Sequence, residues 1–349
     1  MPYLNAVGTA VPDHDIHQPF IGWARAQLGP REQPVFDRMA ARAGIAHRWS
    51  VLPRLADGGS PVDAGGFYAT APYPGTAARM ALYAQAAPDL AEAAIRALEE
   101  QVVLDGVTHL VTASCTGFVA PGIDQIIARR LGLAPDVERL LVGFMGCYAA
   151  VAALRSAYHI VRSQPDARVL VVCVELSTLH LQAATTLEPL LAMLQFGDGA
   201  AAGLVTAEAG GFAIEAPFAA ALPDSGELIR WDITDQGFAM HLSGAVPARI
   251  AAALADDTLI TRVTGREAID AWAVHAGGRS ILDAVESALA LPRSALAASR
   301  AVLEAKGNMS SATLMFVLAD LLKRPAARGV ALAFGPGLAA EGFRFRSAA

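Results

Sequence analysis

The segment RVLVVCVEL, residues 168–176, constrains this chain more than any other. Its interior is apolar at successive positions, so a strand built from it has no face to offer to water. Such a strand needs cover above and below, which points to a sheet packed between helices. The neighbouring segments supply that cover. HLVTAS (109–114) and RLLVGF (139–144) read as further buried strands. IDQIIARRLGL (123–133) and CYAAVAALRSAYHIVRS (147–163) read as helices, and FGDGAAAGLVTAE (196–208) as a turn leading into a strand. The alternation specifies an α/β chain with mostly buried sheets.

The pattern then recurs. DAWAVHAGG (270–278) reads as strand then turn, and RSILDAVESALAL (279–291) as an amphipathic helix. GNMSSATLMFVLADLLK (307–323) reads as turn then helix, and GVALAFGPG (329–337) as a strand ending in a glycine turn. Two series of strand-turn-helix units suggest a duplication that divides the chain near residue 210, into halves 1–210 and 211–349. The hydrophobic content of 54% against 17% charged residues fits extensive buried surface, a subunit interface included.

A net charge of −6 disfavours a general nucleic-acid binder, which would carry a basic excess. No apolar run approaches the roughly 18 residues that a membrane span needs, and MPYLNAVGTAVPDHD lacks the form of a signal peptide. The three cysteines form no CxxC pair, which argues against a disulfide framework and against a zinc site. A reduced, cytoplasmic enzyme is the expectation.

Each cysteine has two readings. Cys173, inside VLVVCVEL, reads as an inert core thiol. Cys115, in TASCTGFVAPG, lies just past a strand and reads as pocket lining or packing. Cys147 follows Gly146 and precedes a helix-favouring run. Unpaired N–H groups and the positive end of the helix dipole would favour its thiolate and lower its pKa. From local pattern alone, nucleophile and packed core thiol both remain open. His275 ends the strand AWAV before a glycine pair and a helix, and Asn308 occupies a similar turn in KGNMSS. Cys, His and Asn at three turns before helices are able to converge in one pocket; each also has an ordinary turn or packing reading. FGDGAAAG lacks the Lys-Ser/Thr of a phosphate loop and leads into a strand, so nucleotide binding is not expected.

Taken together, these stretches resemble the type III polyketide synthases, the chalcone synthase-like enzymes. The matching segments are GFMGCYAA, VLVVCVELSTLHLQ, LQFGDGAAA, AVHAGGRSILD, KGNMSSATLMFVL and AFGPG, with SCTGFVAPG closest to bacterial forms. Cys147 and His275 are 128 residues apart, and His275 and Asn308 are 33 apart, as the family has them. The resemblance implies a thiolase-like fold of two duplicated α/β halves with sheets sandwiching central helices, and a homodimer. It implies Cys147 as the nucleophile carrying acyl groups as a thioester, with His275 and Asn308 stabilising the enolate formed when malonyl-coenzyme A loses carbon dioxide. It implies coenzyme A thioesters as substrates, malonyl-coenzyme A and an acyl-coenzyme A starter, with no separate cofactor and no metal. Phe196 matches the gatekeeper between coenzyme A tunnel and chamber. Cys115, Thr116, Ser177, His180, Ser310 and Pro336 match the cavity wall. Arg38 and Arg42 match two of three basic positions that grip coenzyme A phosphates; the third falls at Val35.

The departures bear on the substrate. Ala120 stands where plant enzymes place a methionine that reaches the partner's cavity. Ser177 and His180 replace threonines, and His180 is bulkier, so it either shortens the chamber or redirects a tunnel. A fatty acyl starter extended two or three times, giving an alkylpyrone or alkylresorcinol, is the expectation. The alternatives are a ketoacyl-carrier-protein synthase of the initiating kind, a short-chain or aromatic-starter synthase, a hydroxymethylglutaryl synthase, and a non-catalytic scaffold relative.

Overall fold

The apolar segments form the strands that their pattern requires, and the computed structural model describes residues 1–348. Val169–Leu176 is buried along its whole length. It runs parallel to His109–Ser114, which pairs in turn with the parallel edge strand Glu138–Gly143. On its other side Asp198–Thr206 is antiparallel, and Tyr3–Ala10 completes this five-stranded portion.

The second half repeats the arrangement. Ala271–Val274 is parallel to Gly329–Gly335, which is antiparallel to Ala339–Ser347, which is antiparallel to Phe212–Ala221. Tyr3 and Leu4 pair with Ala213 and Phe212, so the two portions join into one continuous nine-stranded order. The edge strand Glu138–Gly143 has no counterpart in the second half among the described residues.

Five layers follow from which face each strand residue takes. Leu170, Val172 and Val174 pack outward, in a core shared with the long helix Thr76–Glu99. Val169, Val171 and Cys173 point inward, to a core shared with the helices Ala149–Ser163 and Ala312–Leu321. That alternation is the period of two expected of a strand covered on both faces. The same two helices contact Ala273, Ala331 and Phe343 of the second portion. Beyond it lie the helices Val246–Leu254 and Arg279–Ala288, packed on Trp272, Val274 and Leu332. The middle helices are therefore enclosed by sheet on both sides, as in the thiolase-like fold. The alanine run of Ala149–Ser163 suits that position, because small side chains let two sheets approach one helix. No helix of the described residues is long and apolar enough to cross a membrane.

Candidate active site

Three turns carry the candidate residues: Cys147 and Asn308 precede the middle helices Ala149–Ser163 and Ala312–Leu321, and His275 follows the strand Ala271–Val274. After Gly143 the chain reverses through Phe144 at φ 58° and Gly146 at φ 79°. A side chain at Gly146 would put its Cβ 2.3 Å from Cδ of Pro336, so only glycine fits both the conformation and the contact. Cys147 follows, and the helix begins two residues later at Ala149, with Tyr148 as its cap. The His275 N–H donates to the Leu332 carbonyl at 2.8 Å, and Gly277 N–H donates back to the His275 carbonyl at 2.9 Å. Asn308 is held by its backbone to the segment carrying Phe196. Its N–H donates to the Gln195 carbonyl at 2.8 Å, and its carbonyl accepts from Gly197 N–H at 3.0 Å.

The Asn308 side chain ties these turns together. Its Nδ2 donates to the Gly277 carbonyl at 3.1 Å, two residues past His275, and its Oδ1 accepts from Ser310 N–H at 2.8 Å. The side chains of Ser310 and Asn308 also lie near the Cys147 thiol and favour its charged form.

The electrostatics correct one expectation. Burial pushes the Cys147 thiol up, to about 12, despite the helix start and the Ser310 and Asn308 donors; the nearby Glu175 carboxylate pushes it the same way. Desolvation outweighs the dipole here. Burial likewise holds the His275 imidazole down, to about 3, and neither ring nitrogen has a hydrogen-bond partner. Both groups are thus neutral in this state, and neither His275 ring nitrogen is committed to a partner.

Glu175 is the residue that sequence reasoning missed, although it lies in the quoted VEL. It is fully buried, and its carboxylate accepts from Cys115 N–H at 2.9 Å, from the Thr116 hydroxyl at 2.9 Å and from the Ser311 hydroxyl. Burial pushes it up to about 7 against the pull of these donors. A charged residue inside an otherwise apolar strand was the available signal, since such residues are seldom buried without partners. Glu175 joins the Cys115–Thr116 wall to the Asn308–Ser311 turn. Cys115 itself is buried, accepts Gly146 N–H at Sγ across 2.8 Å, and is pushed up by burial and by Glu175.

Cys147 opens on a small cavity of about 300 Å³, walled by Cys115, Thr116, Ser177, Phe196, Ser310 and Pro336 among others. Ser177, Phe196, Trp231 and Met240 also line a second, mostly apolar cavity of about 780 Å³, so the two adjoin. Trp231 and Met240 come from a hairpin, Ile229–Thr234 and Gly237–Leu242, which the reading of strand-helix units passed over. Its alternating IRWDIT and GFAMHL around Asp-Gln were the missed signal.

His180 lines the larger cavity. Its Nδ1 accepts Phe238 N–H at 3.0 Å, which leaves the proton on Nε2 to be donated to the Thr116 carbonyl at 2.7 Å. Its ring stacks on Phe238 with centroids 4.2 Å apart, and burial holds it neutral, down to about 4. The larger side chain therefore clamps the wall rather than filling the chamber. Ala120 is exposed and lines neither cavity. Arg38 and Arg42 are exposed on the helix Gln33–Arg42. Met39 of that helix lines an open groove with Gln195 and Ser280, and Gln195 is the residue whose carbonyl holds Asn308.

Comparison with known proteins decides the family. The model of the N-terminal domain of chalcone and stilbene synthases matches residues 3–209, and that of their C-terminal domain matches residues 213–349. The chain belongs to the chalcone and stilbene synthase family. These type III polyketide synthases are acyl-transferring condensing enzymes. A relative described as "alpha-pyrone synthesis polyketide synthase-like", from Mycobacterium tuberculosis, is 34% identical over 253 residues. The match covers 68% of this chain and 64% of the relative's length. Among solved structures, a polyketide synthase of the brown alga Ectocarpus siliculosus superposes with a TM-score of 0.88 at 29% identity, covering 99% of this chain and 98% of that one. The 1,3,6,8-tetrahydroxynaphthalene synthase of Streptomyces coelicolor, a bacterial member of the same family, superposes with a TM-score of 0.88 at 26% identity, covering 99% of each chain.

Proposed function

We propose that this protein transfers an acyl group from coenzyme A to Cys147 and extends it with malonyl-coenzyme A, giving an alkylpyrone or alkylresorcinol. The Cys147 sulfur attacks the starter thioester, its proton passes to His275, and coenzyme A leaves. Malonyl-coenzyme A then loses carbon dioxide, and negative charge develops on its thioester oxygen. An N–H of His275 and one of Asn308 Nδ2 stabilise that oxygen. Donors fixed in a dry site are worth far more than in water. The enolate carbon attacks the acyl-cysteine carbonyl, the carbon–sulfur bond breaks, and Cys147 is regenerated as the lengthened chain passes to coenzyme A. Two or three such cycles precede ring closure.

The observation that carries the substrate class is the adjoining pair of cavities: the space before Cys147 meets a larger, mostly apolar one across Ser177, Phe196, Trp231 and Met240. An alkyl chain on Cys147 has apolar surface to bury there. The "alpha-pyrone synthesis" relative supports the same product class. Coenzyme A is read as reaching the site past Arg38 and Arg42, along the groove that Met39 and Gln195 help to line. A homodimer is supported by the edge strand Glu138–Gly143, where Leu140 and Leu141 are each 43% exposed, and by the exposed Phe118 beside the strand's end at Gly143. Acyl-coenzyme A starters of graded length, assayed with malonyl-coenzyme A by mass spectrometry of products and of Cys147, test the reading. Turnover of long saturated starters is expected; activity confined to acetyl or aromatic starters refutes it.

A further inference from the structure

The larger cavity is not apolar throughout. Arg48 is the one residue of its lining that carries a fixed charge, and Arg48 is 1% exposed. Three of its hydrogen bonds are made inside the protein. Nε donates to His17 Nδ1 at 3.0 Å, and Nη1 donates to the carbonyls of Met193 at 3.1 Å and Phe196 at 2.7 Å. The guanidinium lies over the Phe20 ring, 4.5 Å from its centroid, and Phe20 lines the same cavity. Nη2 is buried and has no partner.

Neither neighbouring carboxylate pairs with Nη2. Asp198 and Asp15 are the carboxylates that act on Arg48 through space. The Asp198 oxygens accept from Val51 N–H, Thr178 N–H and the Thr178 hydroxyl, at 2.7 to 2.9 Å. Those of Asp15 accept from the backbone N–H groups of His17 and Arg48, and one oxygen lies 2.7 Å from Nδ1 of His47. Burial pulls Arg48 down to about 9, which still leaves it a cation at neutral pH. A buried guanidinium donor left unpaired is costly, and an oxygen acceptor is what relieves it.

From this we infer that the cavity receives an acyl starter bearing an oxygen at its distal end, a terminal hydroxyl or carboxylate, which accepts from Arg48. This rests on reading the cavity as the starter's chamber. The thioester end sits at Cys147, the methylene chain passes Phe196, Trp231 and Met240, and the far end meets Arg48. Since Arg48 also holds the Phe196 carbonyl, one side chain would set both the chamber's end and its junction with the cysteine cavity.

Wild-type protein is given coenzyme A thioesters matched in chain length: unsubstituted, ω-hydroxy and ω-carboxy. At least one oxygenated starter is expected to exceed the unsubstituted one in kcat/KM by on the order of tenfold, the size of one charge-assisted hydrogen bond. The hydroxy and carboxy arms separate a neutral from an anionic acceptor. Equal or better use of the unsubstituted chain overturns the inference while leaving the starter chamber intact; rejection of every alkyl starter removes the chamber reading and the inference with it. Arg48→Gln and Arg48→Lys follow. Loss of the preference supports the assignment. A purely structural Arg48 lowers all starters by one factor, and an unchanged ratio overturns it. Because these variants also lose support for Met193 and Phe196, the wild-type comparison stands without them.

Discussion

Asn308 Nδ2 donates to the carbonyl of Gly277 across 3.1 Å, which fixes the carboxamide between the His275 turn and the Cys147 thiol. The bond needs a donor at that atom. Asn308→Asp keeps the shape but sets an oxygen against the carbonyl. We expect condensation to fall by about a hundredfold or more, the usual effect of removing one donor to a developing oxyanion. We also expect a stability loss of about 1–3 kcal/mol from the unpaired buried carbonyl. Denaturant melts beside single-turnover assays separate the two effects, and unimpaired malonyl decarboxylation would sink the donor role.

Cys147 and His275 are each uncharged alone, yet one holds a proton to lose and the other an unprotonated ring nitrogen to receive it. A pair that exchanges a proton titrates as a unit, below the value that burial gives the lone thiol. Iodoacetamide alkylation of wild-type Cys147 is therefore expected to show an apparent pKa at least about two units below that of His275→Ala, within the range by which imidazole partners activate thiols. Superimposable pH profiles for the two proteins would mean that the imidazole never takes the proton.

Gly146 meets two demands at once, a φ of 79° and a 2.3 Å clearance that any Cβ would violate against Pro336. Gly146→Ala is expected to cost about 1–3 kcal/mol in backbone strain alone. It also moves Cys147, so product formation should drop by about a hundredfold. A variant with wild-type melting temperature and turnover would show that the Pro336 loop yields freely.

Much of this architecture was legible in the chain. The unbroken apolar run in Val169–Leu176 announced a strand covered on both faces, and the turns at Cys147, His275 and Asn308 announced where the site gathers. What pattern could not carry was the balance of opposing effects. Cys147 precedes a helix, which favours thiolate, but burial and Glu175 act more strongly and keep the thiol neutral. His180 read as bulk in a chamber and proved to be a clamp, because its role depends on Phe238 and Thr116, far apart in sequence. Arg48 drew no notice because its burial arises only when Phe20, Met193 and Phe196 assemble around it.

Three buried imidazoles set the response to acid. Burial holds His275 near 3 and His180 and His17 near 4, against an ordinary value of 6.5. A histidine depressed in the folded state contributes stability that is present above its unfolded value and is lost as pH falls toward its folded one. Each therefore removes up to about 1.36 kcal/mol per pH unit below pH 6.5. Glu175 and Asp198 oppose them. Both are raised to about 7, so their contribution is complete at low pH and is lost as pH rises toward neutrality. Since the imidazole shifts are together the larger, stability should fall on acidification through this window. Neither ring nitrogen of His275 has a partner, so His275→Gln breaks no hydrogen bond and removes one titration. Urea unfolding across the window should show a shallower acid slope for His275→Gln and a steeper one for Glu175→Gln. Matching slopes for His275→Gln and wild type would mean that the folded imidazole is already protonated or open to solvent.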